Sequence, residues 1–195
     1  MSRLAVAVLA SAMALPAVAA PETYTLDPYH TYPYFSLDYF DFTTMMGRFD
    51  RTTGKFSIDP TAKTASLEVV IDTTSISTGD NDKGTRTRAR DEHLRAADFF
   101  NAAEFPRMTF KSTKVTFQGD KPARVEGDLT LLGVTKPVTL TIDRFKCADH
   151  PLYKKAACGG NASGTFKRTD FGFKTYVPSL GDEVKLNMWF LGFRD

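Results

Sequence analysis

Apolar and polar residues alternate with a period of two along most of the chain. The segment ASLEVVID, which begins at Ala65, places Ala65, Leu67, Val69 and Ile71 on one face. RVEGDLTL, PVTLTID and EVKLNMWF, which begin at Arg124, Pro137 and Glu183, alternate in the same way. This period is typical of antiparallel strands with one apolar face and one solvated face. Weaker alternation predicts further strands over residues 34–42, 47–59, 108–117 and 163–173.

Two local features modify this pattern. The apolar phase slips between Phe110 and Val115, which predicts a β-bulge. The segment RTRARDEHLRAADFF, residues 86–100, mixes Ala and Leu with alternating charges and predicts a short helix. About eight strands and one short α-helix predict an all-β domain. A closed antiparallel β-barrel is expected, because closure leaves no unpaired edge strand.

The N-terminus is typical of a secretory signal peptide. Arg3 precedes the apolar run 4–15, and Ala17-Val18-Ala19 forms a small-x-small cleavage site. The run is shorter than the roughly 20 residues that a spanning helix needs. We therefore expect residues 1–19 to be a signal peptide, residues 20–195 to be a single domain, and the mature protein to be exported with no transmembrane span.

Composition narrows the function further. Of 195 residues 42% are apolar, and the formal net charge is only +2. This near-neutral balance argues against a nucleic-acid partner. The chain carries 16 Phe and 7 Tyr, so a large aromatic interior is expected.

The two cysteines, Cys147 and Cys158, enclose a short polar loop. In an exported protein a lone pair at this spacing predicts a disulfide. A metal site using Cys147, His150 and Cys158 is the alternative, but it lacks a fourth ligand at short spacing. Free cysteines are the remaining possibility.

An eight-stranded barrel is just wide enough for packed side chains or for one small ligand. If the interior is hollow, its apolar wall would suit a lipid chain; if it is filled, these residues form an ordinary core. The residues predicted to face inward are Phe35, Leu37, Phe56, Ile58, Met108, Phe110, Leu129, Leu131 and Met188.

Catalytic signals are weak. The sequence has no G-x-S-x-G, H-E-x-x-H or phosphate-binding loop. His93 lies beside Asp91 and Glu92, which could orient its imidazole, although adjacent helix residues do not face one another. The dense arginine group at 86–95 is either a solvated helix face or a cationic rim for an anionic head group.

Several runs together resemble the YceI family of polyisoprenoid-binding, lipocalin-like proteins. They include LDPYHTYPYFSLDYF, MMGRFDRTTGKFSID, RDEHLRAADFFNAAEFPRMTFKS, GDLTLLGVTKPVTL and GTFKRTDFGFKTY. The resemblance covers about residues 23–193. Tyr39 stands where the family commonly has a second histidine, and Pro33 stands where a β-branched residue is usual. Pro33 should therefore kink its strand or hold it at an edge.

The resemblance implies an extended lipocalin-like barrel in the periplasm that holds an isoprenoid lipid, such as a polyprenyl phosphate or a quinone. It establishes no reaction, and with no catalytic or metal-binding motif in the sequence we expect no catalysis, no cofactor and no metal. On its motifs we assign Asn81, Arg86, Arg90 and His93 to the head group, and we add Leu94, Phe99 and Phe100 to the tail-binding set. Two alternatives stay open: an enzyme that acts on a lipid head group through His93, and a structural envelope module with a filled barrel. The aromatic strands would also suit a homodimer.

Overall fold

The computed structural model describes residues 20–195, so the predicted signal peptide lies outside the described residues. Antiparallel strands account for most of this part of the chain. Within residues 20–195, the strands and the single α-helix are β1 (Glu22–Leu26), β2 (Tyr32–Tyr39), β3 (Thr43–Phe49), β4 (Thr52–Asp59), β5 (Thr64–Asp72), β6 (Ile76–Ser77), α1 (Arg90–Arg95), β7 (Arg107–Gln118), β8 (Lys121–Leu131), β9 (Val134–Asp149), β10 (Ala156–Lys167) and β11 (Glu183–Arg194).

Eight of these strands close into a barrel. They follow the order β1-β4-β5-β7-β8-β9-β10-β11, and β11 pairs back onto β1. β2, β3 and β6 continue the sheet from β11 and extend the wall at one end. Closure removes the unpaired edges of the ring. The predicted all-β, lipocalin-like barrel with one short helix is confirmed.

The strands outnumber the prediction because β1 and β6 were not predicted and because the strand predicted over residues 47–59 is divided between β3 and β4. The predicted strand over residues 47–59 is interrupted at Asp50 and Arg51, whose backbone N–H groups bond to the Ser75 carbonyl and hydroxyl oxygens at 3.0 Å. Ser75 itself lies in a 3₁₀ turn that separates β5 from β6.

The predicted bulge is confirmed, because the register of β7 against β8 shifts between Ser112 and Lys114. The predicted helix is too long. α1 has six residues, since Ala96 adopts an extended backbone conformation. The chain then turns so that Phe99 and Phe100 pack against the barrel. The strand predicted over residues 163–173 begins earlier, at Ala156, and ends at Lys167, where a 3₁₀ helix, Arg168–Phe171, begins.

Bulky aromatic residues fit the interior where a neighbouring strand carries glycine. Phe35 on β2 lies opposite Gly47 on β3. A Cβ at Gly47 would lie 2.5 Å from the Phe35 ring. Gly192 on β11 leaves room for Phe56 on β4, on the far side of β1: a Cβ at Gly192 would lie 2.6 Å from the Phe56 ring. These glycines allow rings to lie flat against the wall, a common reason for glycine inside a strand.

The predicted disulfide between Cys147 and Cys158 is confirmed. The two residues are direct cross-strand partners on β9 and β10, with Cα atoms 4.1 Å apart. The bond therefore closes the hairpin beside the turn between β9 and β10, and we call this end of the barrel the lower end. It also indicates an oxidising compartment. Among residues 20–195, no helix is long and apolar enough to cross a membrane.

Candidate functional site

The barrel is hollow. Its interior contains a cavity of about 220 Å³. Its wall is almost wholly apolar, and side chains such as Leu67, Val115 and Ile142 stay half-buried although they point inward. A dry cavity of about 150 Å³ is already enough to bind benzene. The interior can therefore take an apolar ligand larger than one aromatic ring.

The cavity is long rather than round. On β5 it is bordered from Ala65 to Ile71, and on β8 from Pro122 to Leu131. At a rise of about 3.3 Å per residue these stretches span about 20 Å and about 30 Å along their strands. Such a shape suits an extended chain.

All twelve residues of the predicted tail-binding set border this cavity. Nine come from the strand alternation, and three come from the segment around α1. That they contact a lipid stays a prediction. They are Phe35, Leu37, Phe56, Ile58, Leu94, Phe99, Phe100, Met108, Phe110, Leu129, Leu131 and Met188.

Aromatic rings narrow the lower end of the barrel. Tyr24 stacks on Phe56 with ring centroids 5.0 Å apart, and Phe190 packs edge-on against Phe56 at 5.9 Å. Burial, together with the hydrogen bond to Glu22, raises the pKa of Tyr24 to about 12. The phenol is therefore neutral at physiological pH, and its ring supports Phe56 from outside the cavity.

The upper end is built by the segments that follow β6 and β10. Phe100 contacts Phe49 and Phe173 with centroids 5.6 and 5.2 Å apart. Asp91 fixes α1 to the chain after β6, because its carboxylate accepts hydrogen bonds from the Thr78 N–H at 2.8 Å and from the Thr78 hydroxyl. These contacts position the aromatic residues of the upper wall.

Arg168 is the one charged side chain among the described residues that border the cavity. It is 4% exposed, and it donates to the carbonyl oxygens of Thr175, Leu180 and Gly181 at 3.0, 2.7 and 2.9 Å. Burial lowers its pKa, and the nearby Asp182 opposes this shift. Arg168 thus holds the β10–β11 connection against the barrel. The strand pattern does not reveal this role; the only sequence signal is a charged residue inside the run GTFKRTDFGFKTY.

The four residues assigned to the head group do not border the cavity. Arg86 forms two hydrogen bonds of 2.6 Å to the carboxylate of Asp80, and Arg90 lies 3.5 Å from the same carboxylate. The hydrogen bond from Arg86 holds the pKa of Asp80 below its usual value. Asn81 is exposed. The role of these residues with a head group stays a prediction, and two of them already share an anion within the chain.

His93 is oriented by Asp98 rather than by its sequence neighbours. Its Nε2 lies 2.7 Å from Oδ2 of Asp98, and its ring packs edge-on against Phe99 at 4.8 Å. Asp91 is instead committed to Thr78. Within the described part of the chain, no group of three or more His, Cys, Asp or Glu residues is arranged to hold a metal ion.

Comparison with known proteins agrees with this architecture. The family model described as "YceI-like domain" matches residues 24–190. The chain belongs to the YceI-like family. It is 40% identical to "Protein YceI" of Escherichia coli O6:H1 over 146 residues, which cover 74% of this chain and 72% of that protein.

Solved structures of YceI-like proteins show the same fold. The crystal structure of the Campylobacter jejuni YceI protein matches with a TM-score of 0.66 and 28% identity, over 78% of this chain and 86% of that one. A polyisoprenoid-binding domain from Saccharophagus degradans matches with a TM-score of 0.60, over 88% of this chain and 98% of that one. Its identity is 17%, so this second likeness bears on the fold alone.

Proposed function

We propose that this protein is an exported, non-catalytic carrier that holds the chain of a long isoprenoid lipid inside its barrel. The single observation that supports the proposal most directly is the elongated, almost wholly apolar cavity. Membership of the YceI-like family agrees with it, as does the fold shared with a domain described as polyisoprenoid-binding. The hollow interior does not favour a structural module whose barrel is filled by its own side chains.

Burial of the isoprenoid tail alone can provide enough free energy for micromolar binding. Each buried methylene contributes about 0.8 kcal/mol, so one five-carbon isoprene unit contributes up to about 4 kcal/mol before ordering costs. Micromolar binding requires about 8 kcal/mol. Two or three units within the cavity would therefore hold the lipid without any polar contact.

We assign the head group to the outside of this cavity, because the wall offers few polar atoms. Arg86 and Arg90 would provide positive charge for a phosphate head group. Asn81 and His93 lie in the same segment, between β6 and β7. The phosphate would have to compete with Asp80 for both arginines. A neutral, planar head would have no such competitor and would need a different surface.

The proposed location is the periplasm. The disulfide between Cys147 and Cys158 supports an oxidising compartment. The signal-peptide pattern of residues 1–19 supports export, which would leave residues 20–195 as one mature YceI-like domain.

The test is the lipid content of the purified protein. Native mass spectrometry, followed by solvent extraction and lipid analysis, should detect an isoprenoid chain at about one per protein. Emptied protein should take up farnesol, a three-unit prenyl alcohol, at micromolar concentration. A protein that is purified free of lipid and takes up no prenyl chain would refute the proposal.

Two adjacent valines on β5 provide a matched pair for this test. Val69 borders the cavity, whereas Val70 does not. Val69→Trp should occupy part of the free space and reduce farnesol uptake at least tenfold, while Val70→Trp should leave it within twofold. Equal uptake by both variants would place the bound chain elsewhere. Urea unfolding of each variant checks that the fold is retained.

A further inference from the structure

The turn between β9 and β10 projects from the lower end of the barrel. The pairing of β9 with β8 stops at Thr141, whereas its pairing with β10 continues to Asp149. On the other side, the pairing of β10 with β11 begins only at Ala157. Residues 150–155 therefore lie beyond both neighbouring strands, and we call them the β9–β10 tip.

Hydrogen bonds to His150 fix the shape of this tip. Its backbone N–H donates to the Lys155 carbonyl oxygen at 2.8 Å, and its own carbonyl oxygen accepts from the Lys154 N–H at 2.9 Å. Its Nδ1 accepts from the N–H groups of Leu152 and Tyr153 at 3.3 and 3.4 Å. The disulfide joins the two strands directly below. A two-stranded hairpin is only marginally stable alone, so these constraints preorganise the turn.

The tip presents two apolar side chains to solvent. Leu152 is 80% exposed and Tyr153 is 54% exposed. The Tyr153 ring packs edge-on against Phe193, with centroids 5.3 Å apart, so its position is fixed although much of it faces solvent. Two adjacent exposed apolar side chains on a preorganised turn differ from the single ones that are scattered over any protein surface.

Lysines surround these apolar side chains. Lys146, Lys154 and Lys155 are exposed, and none of them forms an ion pair among residues 20–195. Residues 146–155 contain one carboxylate, Asp149, against these three lysines, so their formal charge is +2 with His150 neutral. The tip is therefore both apolar and cationic.

The rest of the lower end does not offset this charge. Its acidic side chains each have a cation in the same ion pair or in the same turn. These are Glu22 with Arg194, Asp195 with Lys55, Asp120 with Lys121, and Asp59 with Lys63. The excess positive charge of this end is thus concentrated at the tip, where it complements an anionic surface.

The size of the tip favours a lipid surface over a protein partner. A stable protein interface buries about 800 Å² on each partner, which a single six-residue turn does not provide. A bilayer needs less area, because a few apolar side chains enter the head-group region while lysines attract anionic lipids. Tyrosine is also enriched at membrane–water interfaces.

The opposite end of the barrel lacks this combination. Phe42 in the β2–β3 turn is 90% exposed, but two carboxylates, Asp38 and Asp41, lie in the same hairpin. Anionic lipids would be repelled there. Phe42 therefore provides a matched control for Leu152, since both are exposed apolar side chains in turns.

We propose that the β9–β10 tip docks the protein on the surface of an anionic lipid bilayer, with Leu152 entering the head-group region and Lys154 and Lys155 contacting the lipid phosphates. The inference goes beyond the carrier function and does not require it. Docking in this way turns the lower end of the cavity toward the bilayer. Phe145, which borders the cavity, lies four residues before Asp149, or about 13 Å at strand spacing.

The experiment measures co-sedimentation of the protein with phosphatidylcholine vesicles that contain either no anionic lipid or about one-third phosphatidylglycerol. The protein should bind the anionic vesicles at least tenfold more tightly, and high salt should weaken this binding. Leu152→Ser should reduce affinity at least fivefold. The double variant Lys154→Gln, Lys155→Gln should do the same and should remove most of the salt dependence.

Control variants keep the same chemistry away from the tip. Phe42→Ser at the upper end should leave vesicle affinity within twofold. The double variant Lys114→Gln, Lys136→Gln removes two exposed lysines from the barrel wall and should also stay within twofold. Val69→Trp, which fills part of the cavity, should bind vesicles like the wild type. Urea unfolding should confirm that the tip variants keep wild-type stability, as expected for exposed positions.

Each alternative result would overturn the proposal. Failure of the wild type to bind anionic vesicles, or equal binding to both kinds of vesicle, would show that the tip does not recognise an anionic bilayer. A larger loss from Phe42→Ser than from Leu152→Ser would place docking at the upper end. A loss from Val69→Trp would mean that vesicles are bound through the cavity. Farnesol uptake in solution should be unchanged in the tip variants, so the carrier function is tested separately.

Discussion

Nε2 of His93 and the carboxylate of Asp98 lie 2.7 Å apart beside the upper wall of the cavity. Burial opposes ionisation of Asp98, but the hydrogen bond from His93 and the charge of Arg88 outweigh it, so its pKa lies below the usual value. A carboxylate with a lower pKa in the folded state stabilises the fold above its unfolded pKa, which is about 3.9. This contribution is lost as the pH falls through the folded value.

Asp98→Asn should therefore destabilise the protein at pH 6 more than at pH 2.5. Because the Asp98 side chain is 44% exposed, the difference should be small. Urea unfolding at the two pH values measures it. His93→Gln, which weakens the partner, should reduce the same pH dependence. An equal effect of Asp98→Asn at both pH values would contradict the prediction.

Replacing both Cys147 and Cys158 with serine should lower the free energy of unfolding by about 3 kcal/mol. The bond closes a loop with a sequence separation of 11, and the chain-entropy model gives this magnitude for loops of similar length. The barrel should still form, because the pairing of β9 with β10 continues to Gly164. Urea unfolding of the variant and of reduced wild-type protein should agree, and disagreement would show that the serines act through something other than the lost bond.

The barrel could be predicted from the sequence because apolar and polar residues alternate within each strand, independently of its neighbours. The inward sets on β5, β8 and β11 follow directly from it, and the bulge near Ser112 follows from a break in the same phase. The interruption of the strand predicted over residues 47–59 was missed for a physical reason. Asp50 and Arg51 interrupt a strand by bonding to Ser75, about 25 residues away, and no local pattern encodes that contact.

For the same reason, only part of the candidate site could be predicted from the sequence. Residues that face the cavity share a period, so they could be chosen from the sequence. The role of Arg168 depends on which segments become its neighbours in the fold. The arginines near α1 were conspicuous as a dense group, but the structure pairs Arg86 and Arg90 with Asp80. Charge density alone does not show whether a cation is available to a ligand.

Thr52→Val should stabilise the empty protein by about 1 kcal/mol. The substitution keeps the branched shape and removes a buried hydroxyl that has no partner among the described residues. Thr53→Val, at the exposed neighbouring position, should change stability by no more than about 0.5 kcal/mol. Thermal unfolding of lipid-free protein measures both. Destabilisation by Thr52→Val would show that the hydroxyl is satisfied in solution.

Arg168→Met should lower the free energy of unfolding by about 3 kcal/mol. The substitution preserves much of the apolar stem but leaves the carbonyl groups of Thr175, Leu180 and Gly181 without their donor, and hydrogen bonds to charged groups contribute about 1.5–3 kcal/mol each, partly replaced by water in this connection.

In this variant, backbone amides of the β10–β11 connection should exchange faster, while those of the strands at the lower end of the barrel should exchange at the wild-type rate. Lys174→Met, at an exposed position of the same connection, is the control and should have little effect. Because Leu180 and Phe173 form part of the cavity wall, farnesol should also dissociate faster from Arg168→Met. Unchanged exchange and unchanged dissociation would mean that the connection is held by its apolar contacts, and that the guanidinium is not what keeps the upper wall closed.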